Sequence, residues 1–161
     1  MLFSTGDRPD PRITMSKPEE LLVAVDGASH SDRVVEMARD YAKRLNMKVH
    51  VVCVAGYEDI SRDLIQYAKV ESVDLSEYYH TIAKAATSKY EGVFRVAGVP
   101  CSTTVERGDP AVKIVDIAKS RKASLIFLGI KELRGAGKVM ALGSVARRVI
   151  EASPCPVMVI P

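Results

Sequence analysis

Several features that would define common protein classes are scarce or missing in this sequence. The three cysteines, Cys53, Cys101 and Cys155, are widely spaced, odd in number and without a C-x-x-C pair, which argues against a disulfide framework. The three histidines lie in separate segments, without the spacing of metal ligands. The longest dense apolar stretch, around Leu125–Ile130, is far shorter than the roughly 20 residues that span a bilayer. We therefore expect a reduced cytoplasmic protein without a metal site or a membrane segment.

Charge of one sign is not in large excess either. The 161 residues carry a net charge of +3, which is too mild to indicate nucleic-acid binding. The charge is unevenly distributed, since seven basic residues and a single acid, Glu132, lie between Arg121 and Arg148. A concentrated positive field suits an anionic ligand, and a solvated basic face is the alternative interpretation.

The first 18 residues differ in composition from the rest of the chain. They are polar, contain proline and glycine, and lack the apolar segment of a signal peptide. We interpret residues 1–18 as a flexible N-terminal arm. The remaining length is typical of one domain, and we expect residues 19–161 to form a single α/β domain.

Apolar runs alternate with amphipathic segments along residues 19–161, which predicts alternating strands and helices. The predicted strands are Leu21–Asp26, Lys48–Ala55, Ser102–Glu106, Ser124–Gly129 and Pro156–Ile160. Most of them are apolar throughout, as is typical of strands buried on both faces of a parallel sheet. We therefore predict a doubly wound α/β fold, with a five-stranded parallel sheet in the order 3-2-1-4-5 and helices on both faces.

Helical periodicity and capping residues mark the segments between the strands. Ser31 is a candidate N-cap for a helix that runs to about Arg44, and Ser144–Ala152 is predicted as the last helix. Asp109 can cap a third helix, and Pro110 suits its first position because proline has no N–H to leave unpaired. The side chains expected to face inward are Val34, Met37, Ala38, Tyr41, Ala42 and Leu45 in the first helix, and Tyr78, Ile82, Ala83, Ala86 and Tyr90 in a helix over Asp74–Tyr90.

A ligand site is expected where the winding of such a sheet reverses. In the predicted order, strands one and four are neighbours, so Asp26 at the end of one and Gly129 at the end of the other lie at one crevice. The loop after Gly129 runs to Gly143 and to the helix that begins at Ser144. An acid and a glycine-bearing loop therefore converge without being near in sequence.

The residue types at this crevice suit a nucleotide. Gly143 has no Cβ and lets the backbone approach a ligand closely. The amides of Ser144 and Val145, and the Ser144 hydroxyl, can donate to phosphate oxygens at a helix N-terminus. Asp26 can accept hydrogen bonds from ribose hydroxyls. Plainer alternatives stay open, with Ser144 as an N-cap, the glycines as turn residues and Asp26 as a cap of the next turn.

Familiar nucleotide and hydrolase motifs are absent. A Walker A loop would need glycine at position 132 and serine or threonine at position 139, where the chain has Glu132 and Val139. No G-x-G-x-x-G follows the first strand, so nothing favours a dinucleotide. Ser29, His30 and Asp32 are close neighbours at a helix start, which favours capping over a hydrolytic triad.

Three segments, "LLVAVDGASHSDRVVEMA", "GDPAVKIVDIAK" and "LGSVARRVIEASPCPVMVIP", resemble the universal stress protein family. The resemblance covers roughly Glu20 to Pro161, and its last segment is the most specific. It implies a homodimer paired through Pro156–Ile160, and binding of ATP or AMP with slow or no hydrolysis. Any Mg²⁺ would enter with the phosphates, because the chain offers no dedicated ligand set.

The resemblance also implies roles for individual positions. Asp26 would contact ribose, with Ala24, Val54 and Leu128 near adenine and with Gly129, Gly143, Ser144 and Val145 at the phosphates.

This chain departs from the family loop, G-x2-G-x9-G-[ST]. Glu132 stands at the second glycine position, and ten residues separate it from Gly143. Two unit charges about 4 Å apart interact by roughly 1–4 kcal/mol, depending on the local dielectric, so a carboxylate turned toward phosphate would weaken binding. Lys131, Arg134 and Lys138 are the residues expected to offset it.

The leading hypothesis is a cytoplasmic stress-response regulator that binds an adenine nucleotide and acts through a homodimer and an unidentified protein partner, without nucleic acid or membrane. The alternative is a nucleotide-free dimeric interaction module, which Glu132 and the longer loop favour. An enzyme is not expected beyond slow ATP hydrolysis, because no general base is evident.

Overall fold

Strands and helices alternate along the residues that the computed structural model describes, which are 19–26, 30–55, 66, 69–71, 74–130 and 142–161. The strands are β1 (Glu20–Val25), β2 (Lys48–Ala55), β3 (Cys101–Arg107), β4 (Leu125–Gly129) and β5 (Val157–Ile160). The helices are α1 (His30–Leu45), α2 (Leu75–Val96), α3 (Pro110–Ser120) and α4 (Ser144–Ala152). The expected arm over residues 1–18 lies outside the described residues.

The five strands form one parallel sheet in the order β3-β2-β1-β4-β5, which confirms the predicted fold class. β1 lies at the centre, where Val23 pairs with Val51 of β2 on one side and with Phe127 of β4 on the other. The chain therefore winds outward from β1 in both directions, and the direction reverses between β1 and β4.

Each face of the sheet carries its own apolar core. α1 and α2 cover a core that includes Leu21, Val23 and Phe127, while α3 and α4 cover a core that includes Leu22 and Ile126. Successive side chains of a strand point to opposite faces, so a strand buried on both faces must be apolar at every position. This requirement explains the unbroken apolar run of β1.

α2 is longer than predicted, and its buried face lies farther along the chain. It continues to Val96, and Phe94, beyond the predicted end of the helix, is fully buried. Gly98, at φ +72°, ends it in a left-handed turn that lets the Val99 N–H donate to the Phe94 carbonyl.

Four side chains that were predicted to face inward are instead substantially exposed. Tyr78 and Ile82 lie on the first two turns of α2, whose burial begins at Ala83. The reason is length, because 22 helical residues span about 33 Å whereas the eight residues of β2 span about 26 Å. On α1, Tyr41 and Leu45 lie at the margin of the core, although the Tyr41 ring still meets Phe127 edge to face at 5.3 Å.

A polar cluster around the buried His50 lies at the amino edge of the sheet, opposite the predicted site. His50 of β2 is 2% exposed, and its Nδ1 lies 2.7 Å from the Ser102 hydroxyl of β3. Arg121, just after α3, donates to Ser102 at 3.3 Å and to Glu20 of β1 at 3.1 Å. Burial, reinforced by the Arg121 charge, lowers the pKa of His50 from 6.5 to about 4, against the opposing effect of Glu20.

This cluster predicts a specific pH dependence of folding. In the unfolded chain His50 takes up a proton near pH 6.5, whereas in the folded chain it does so only near pH 4. The contribution of neutral His50 to the free energy of unfolding is therefore fully present above pH 6.5 and is lost as the pH falls toward 4. We expect His50→Gln to flatten the slope of unfolding free energy against pH in that window by up to about 1.4 kcal/mol per pH unit. Urea denaturation at pH 4.5 to 7 measures it, with His80→Gln on α2 as the matched variant that keeps the steep slope. Equal slopes in the parent and His50→Gln would contradict the prediction.

Candidate functional site

The ends of β1 and β4 meet at the carboxyl edge of the sheet, as predicted. Leu21 pairs with Leu125 and Val23 with Phe127, so Asp26 directly after β1 and Gly129 at the end of β4 lie at neighbouring strand ends. Two parallel strands with this register open a crevice between their carboxyl ends. The structure thereby brings together two of the predicted site residues that are about 100 positions apart in the sequence.

Three apolar residues form a continuous surface on one face of the sheet beside this edge. Ala24, Val54 and Leu128 come from the adjacent strands β1, β2 and β4 and belong to the core under α3 and α4. Leu128 is buried, at 4% exposed, whereas Ala24 and Val54 are half-buried. The sequence-predicted base contacts therefore lie side by side on one face, which suits a flat apolar group.

α4 begins close to the same edge and without a side-chain cap. The N-cap residue of α4 is Gly143, which has no side chain to cap the first turn. The alternative prediction that Ser144 is the N-cap is therefore wrong. Ser144 is exposed at the first helical position, Val145 is half-buried, and Ala146 and Val149 pack into the core. The φ of Gly143 is −63°, which any residue can adopt, so a glycine there matters for the space it leaves rather than for its backbone conformation.

Asp26 is held by a residue for which the sequence predicted a different role. α1 begins at His30, so Ser31 lies inside its first turn rather than at the N-cap, and that prediction is wrong. Its hydroxyl donates to the Asp26 carboxylate at 2.8 Å and accepts from the Asp26 N–H at 3.3 Å. Ser31 is 2% exposed, whereas Asp26 is exposed, so the two bonds join a buried hydroxyl to an exposed carboxylate.

A second set of polar contacts ties α2 to the start of α1. Lys89 of α2 donates to both oxygens of Asp32, at 2.8 and 3.0 Å. The buried Tyr90 side chain lies near those of Asp32 and Ser31. Lys89 lowers the pKa of Asp32, while burial, together with the Asp32 carboxylate, raises the pKa of Tyr90 to about 12.

The basic residues of this segment that the structure describes do not lie on one surface. Arg121 and Lys122 lie in the turn before β4, at the amino edge of the sheet, where Arg121 pairs with Glu20. Arg148 of α4 pairs with Asp109 at 2.7 Å. Charges that are close in sequence are thus divided between opposite edges. Four loop residues with predicted roles lie outside the described residues, namely Lys131, Glu132, Arg134 and Lys138.

Asp109 joins the two helices that cover the second core. Its carboxylate caps α3 by accepting from the Val112 N–H at 3.0 Å, and Pro110 opens the helix, which confirms both predictions for this helix start. The other carboxylate oxygen binds Arg148, and these contacts lower the pKa of Asp109, with Arg148 the main cause. The exposed Asp109 side chain therefore links the first turn of α3 to Arg148 of α4.

Within the described residues, no group of three or more histidine, cysteine or acidic side chains is placed to hold a metal ion. In the same part of the chain, no helix is long and apolar enough to cross a membrane.

The fold and this edge define a doubly wound α/β protein with its crevice between β1 and β4. The model of the Universal stress protein family matches residues 18–161. The chain belongs to that family.

Relatives and solved structures agree with this assignment. The universal stress protein YxiE of Bacillus subtilis is 30% identical over 146 residues, covering 88% of this chain and 97% of YxiE. The universal stress protein UspA from Lactobacillus plantarum has the same fold, with a TM-score of 0.72 at 22% identity over 91% of this chain and 99% of that one. A universal stress protein from Archaeoglobus fulgidus in complex with dAMP gives a TM-score of 0.61 at 24% identity, covering 91% of this chain and 100% of the other.

The bridge between Asp109 and Arg148 yields a prediction that separates capping from ion pairing. We expect Asp109→Ala to lower the melting temperature by a few degrees, because the α3 cap and the ion pair are both lost. Asp109→Asn keeps a good N-cap and loses only the charge, so its decrease is smaller and matches that of Arg148→Gln. Thermal melts of the three variants measure this order, and an Asp109→Asn loss equal to that of Asp109→Ala would contradict it.

Proposed function

We propose that this protein binds an adenine nucleotide, ATP or AMP, between the carboxyl ends of β1 and β4. The observation that carries the proposal is the position of Asp26 at the end of β1 at the switch point, next to the strand positions of Ala24, Val54 and Leu128 on one face of the sheet. A base needs a flat apolar surface and a ribose needs a hydrogen-bond acceptor, and this edge offers both. The complex of a family member with dAMP supports the same ligand class.

The phosphates would lie toward the start of α4. Gly143 and Ser144 open this helix without a side-chain cap, so its first amides suit anionic oxygens. Gly129 stands at the other end of the same loop. Mg²⁺ would be carried by the phosphates, with few protein ligands, since it commonly keeps several waters.

The protein would act as a cytoplasmic stress-response regulator whose nucleotide occupancy alters binding of a protein partner. Its cysteines suit a reducing compartment, because burial raises the thiol pKa of Cys53 to about 11 and of Cys101 to about 12 and so disfavours the reactive thiolates.

Nucleotide binding can be tested at Asp26. Isothermal titration with ATP and with AMP is expected to show binding to the parent protein and about 10-fold weaker binding to Asp26→Asn, because a hydrogen bond to a charged acceptor is replaced by one to a neutral amide. Asp40→Asn on α1, whose carboxylate pairs with Arg39, is the matched control and should bind like the parent. Absence of binding at millimolar nucleotide would overturn the proposal.

Pairing of two copies through β5 is the second proposal, and it holds with or without nucleotide. β5 is an edge strand of the described sheet. The carbonyls of Pro156 and Ile160 accept from β4, so the alternating backbone groups of Val157 and Val159 point away from the sheet. Such a row of backbone groups is a template for a second strand.

This pairing can be tested without changing the sheet itself. Val159→Pro removes one outward N–H and keeps three side-chain carbons, whereas Val159→Ala keeps that N–H and removes two methyl groups. Sedimentation equilibrium should show a dimer for the parent and Val159→Ala, and a shift to monomer for Val159→Pro with a melting temperature close to that of Val159→Ala. A parent protein that is monomeric at micromolar concentration would exclude the β5 dimer.

A further inference from the structure

We propose that Ser31 is a positioning residue that orients the Asp26 carboxylate for ribose. The inference rests on the proposed nucleotide site and adds the residue that determines how the site recognises the sugar.

The two bonds between Ser31 and Asp26 fix both the backbone and the side chain of Asp26. The Asp26 N–H donates to the Ser31 oxygen at 3.3 Å, and the Ser31 hydroxyl donates to Oδ1 of Asp26 at 2.8 Å. Closing such a ring removes rotation about the Asp26 side chain, which an exposed carboxylate otherwise keeps. A carboxylate accepts through about four lone-pair sites, so the Ser31 bond occupies one of them and directs the others.

Burial makes Ser31 able to hold this geometry. The Ser31 side chain is 2% exposed and that of Tyr90 is equally buried, so water does not compete for the Ser31 hydroxyl. The Ser31 hydroxyl has a single proton, and it donates that proton to the Asp26 carboxylate, which can only accept.

α2 is tied to the first turn of α1, which carries Ser31, by Lys89, whose amino group donates to both oxygens of Asp32.

The test compares ligands as well as variants. If Ser31 acts through Asp26 on ribose, Ser31→Ala should weaken binding of ATP about 5-fold, the effect of one neutral hydrogen bond, and change binding of 2′,3′-dideoxy-ATP by less than about 2-fold. The dideoxy analogue lacks both hydroxyls from which Asp26 would accept. A purely structural role of Ser31 would weaken both ligands equally, and that result would overturn the inference.

Two further variants keep the test decisive. Ser31→Cys has nearly the same volume but a weak donor, so it should give the same ribose-dependent loss if Ser31→Ala fails to fold. Ser88→Ala removes an exposed α2 hydroxyl that bonds the Lys84 carbonyl and should bind both ligands like the parent.

The outcomes separate this inference from the proposed function. A parent protein that binds neither ligand overturns the nucleotide site itself. A parent that binds ATP and dideoxy-ATP equally well, or variants that weaken both in parallel, leave the nucleotide site standing and overturn the role of Ser31. Loss confined to ATP in Ser31→Ala and Ser31→Cys supports it.

Discussion

The parallel pairing of β1 with β4 is the constraint on which the rest of the structure depends. Because β4 joins β1 on the side opposite β2, the winding reverses between them, and the helices that follow the two strands, α1 and α4, cover opposite faces of the sheet. Asp26, Gly129 and the apolar residues beside them owe their proximity to this one pairing, since no local interaction brings them together.

Much of the fold was readable from the sequence because it depends on patterns that are local or strictly periodic. Apolar runs identified most of the strands, and the Asp109–Pro110 pair identified the start of α3. The exposure of Tyr78 and Ile82 was not readable, because periodicity gives the apolar face of a helix but not how far the sheet extends beneath it. Ser31 was misassigned for a related reason, since a serine at a helix start caps it in most cases and only the path of the chain brings it to Asp26.

Local net charge was the sequence feature that predicted the structure least well. The excess of basic residues between Arg121 and Arg148 suggested one positive field, yet β4 carries the chain from the amino edge of the sheet to its carboxyl edge within that segment. Arg121 consequently contributes to the cluster around His50, and Arg148 to the contact between α3 and α4. A sequence segment that contains a strand has residues at both edges of the sheet. The net charge of a segment therefore describes a binding surface only where the chain does not cross the sheet.

The first two turns of α2 extend beyond the buried part of the helix, so a tilt of α2 displaces them more than it displaces the buried part. Its buried anchor is Tyr90, and its exposed end carries Tyr78, which lies 12 residues, or about 18 Å, away along the helix. A tilt of about 10° at the anchor displaces the far end by about 3 Å over that length. A displacement too small to disturb the packing around Tyr90 is thus large enough at Tyr78 and Ile82 to change what an aromatic and an aliphatic side chain can contact.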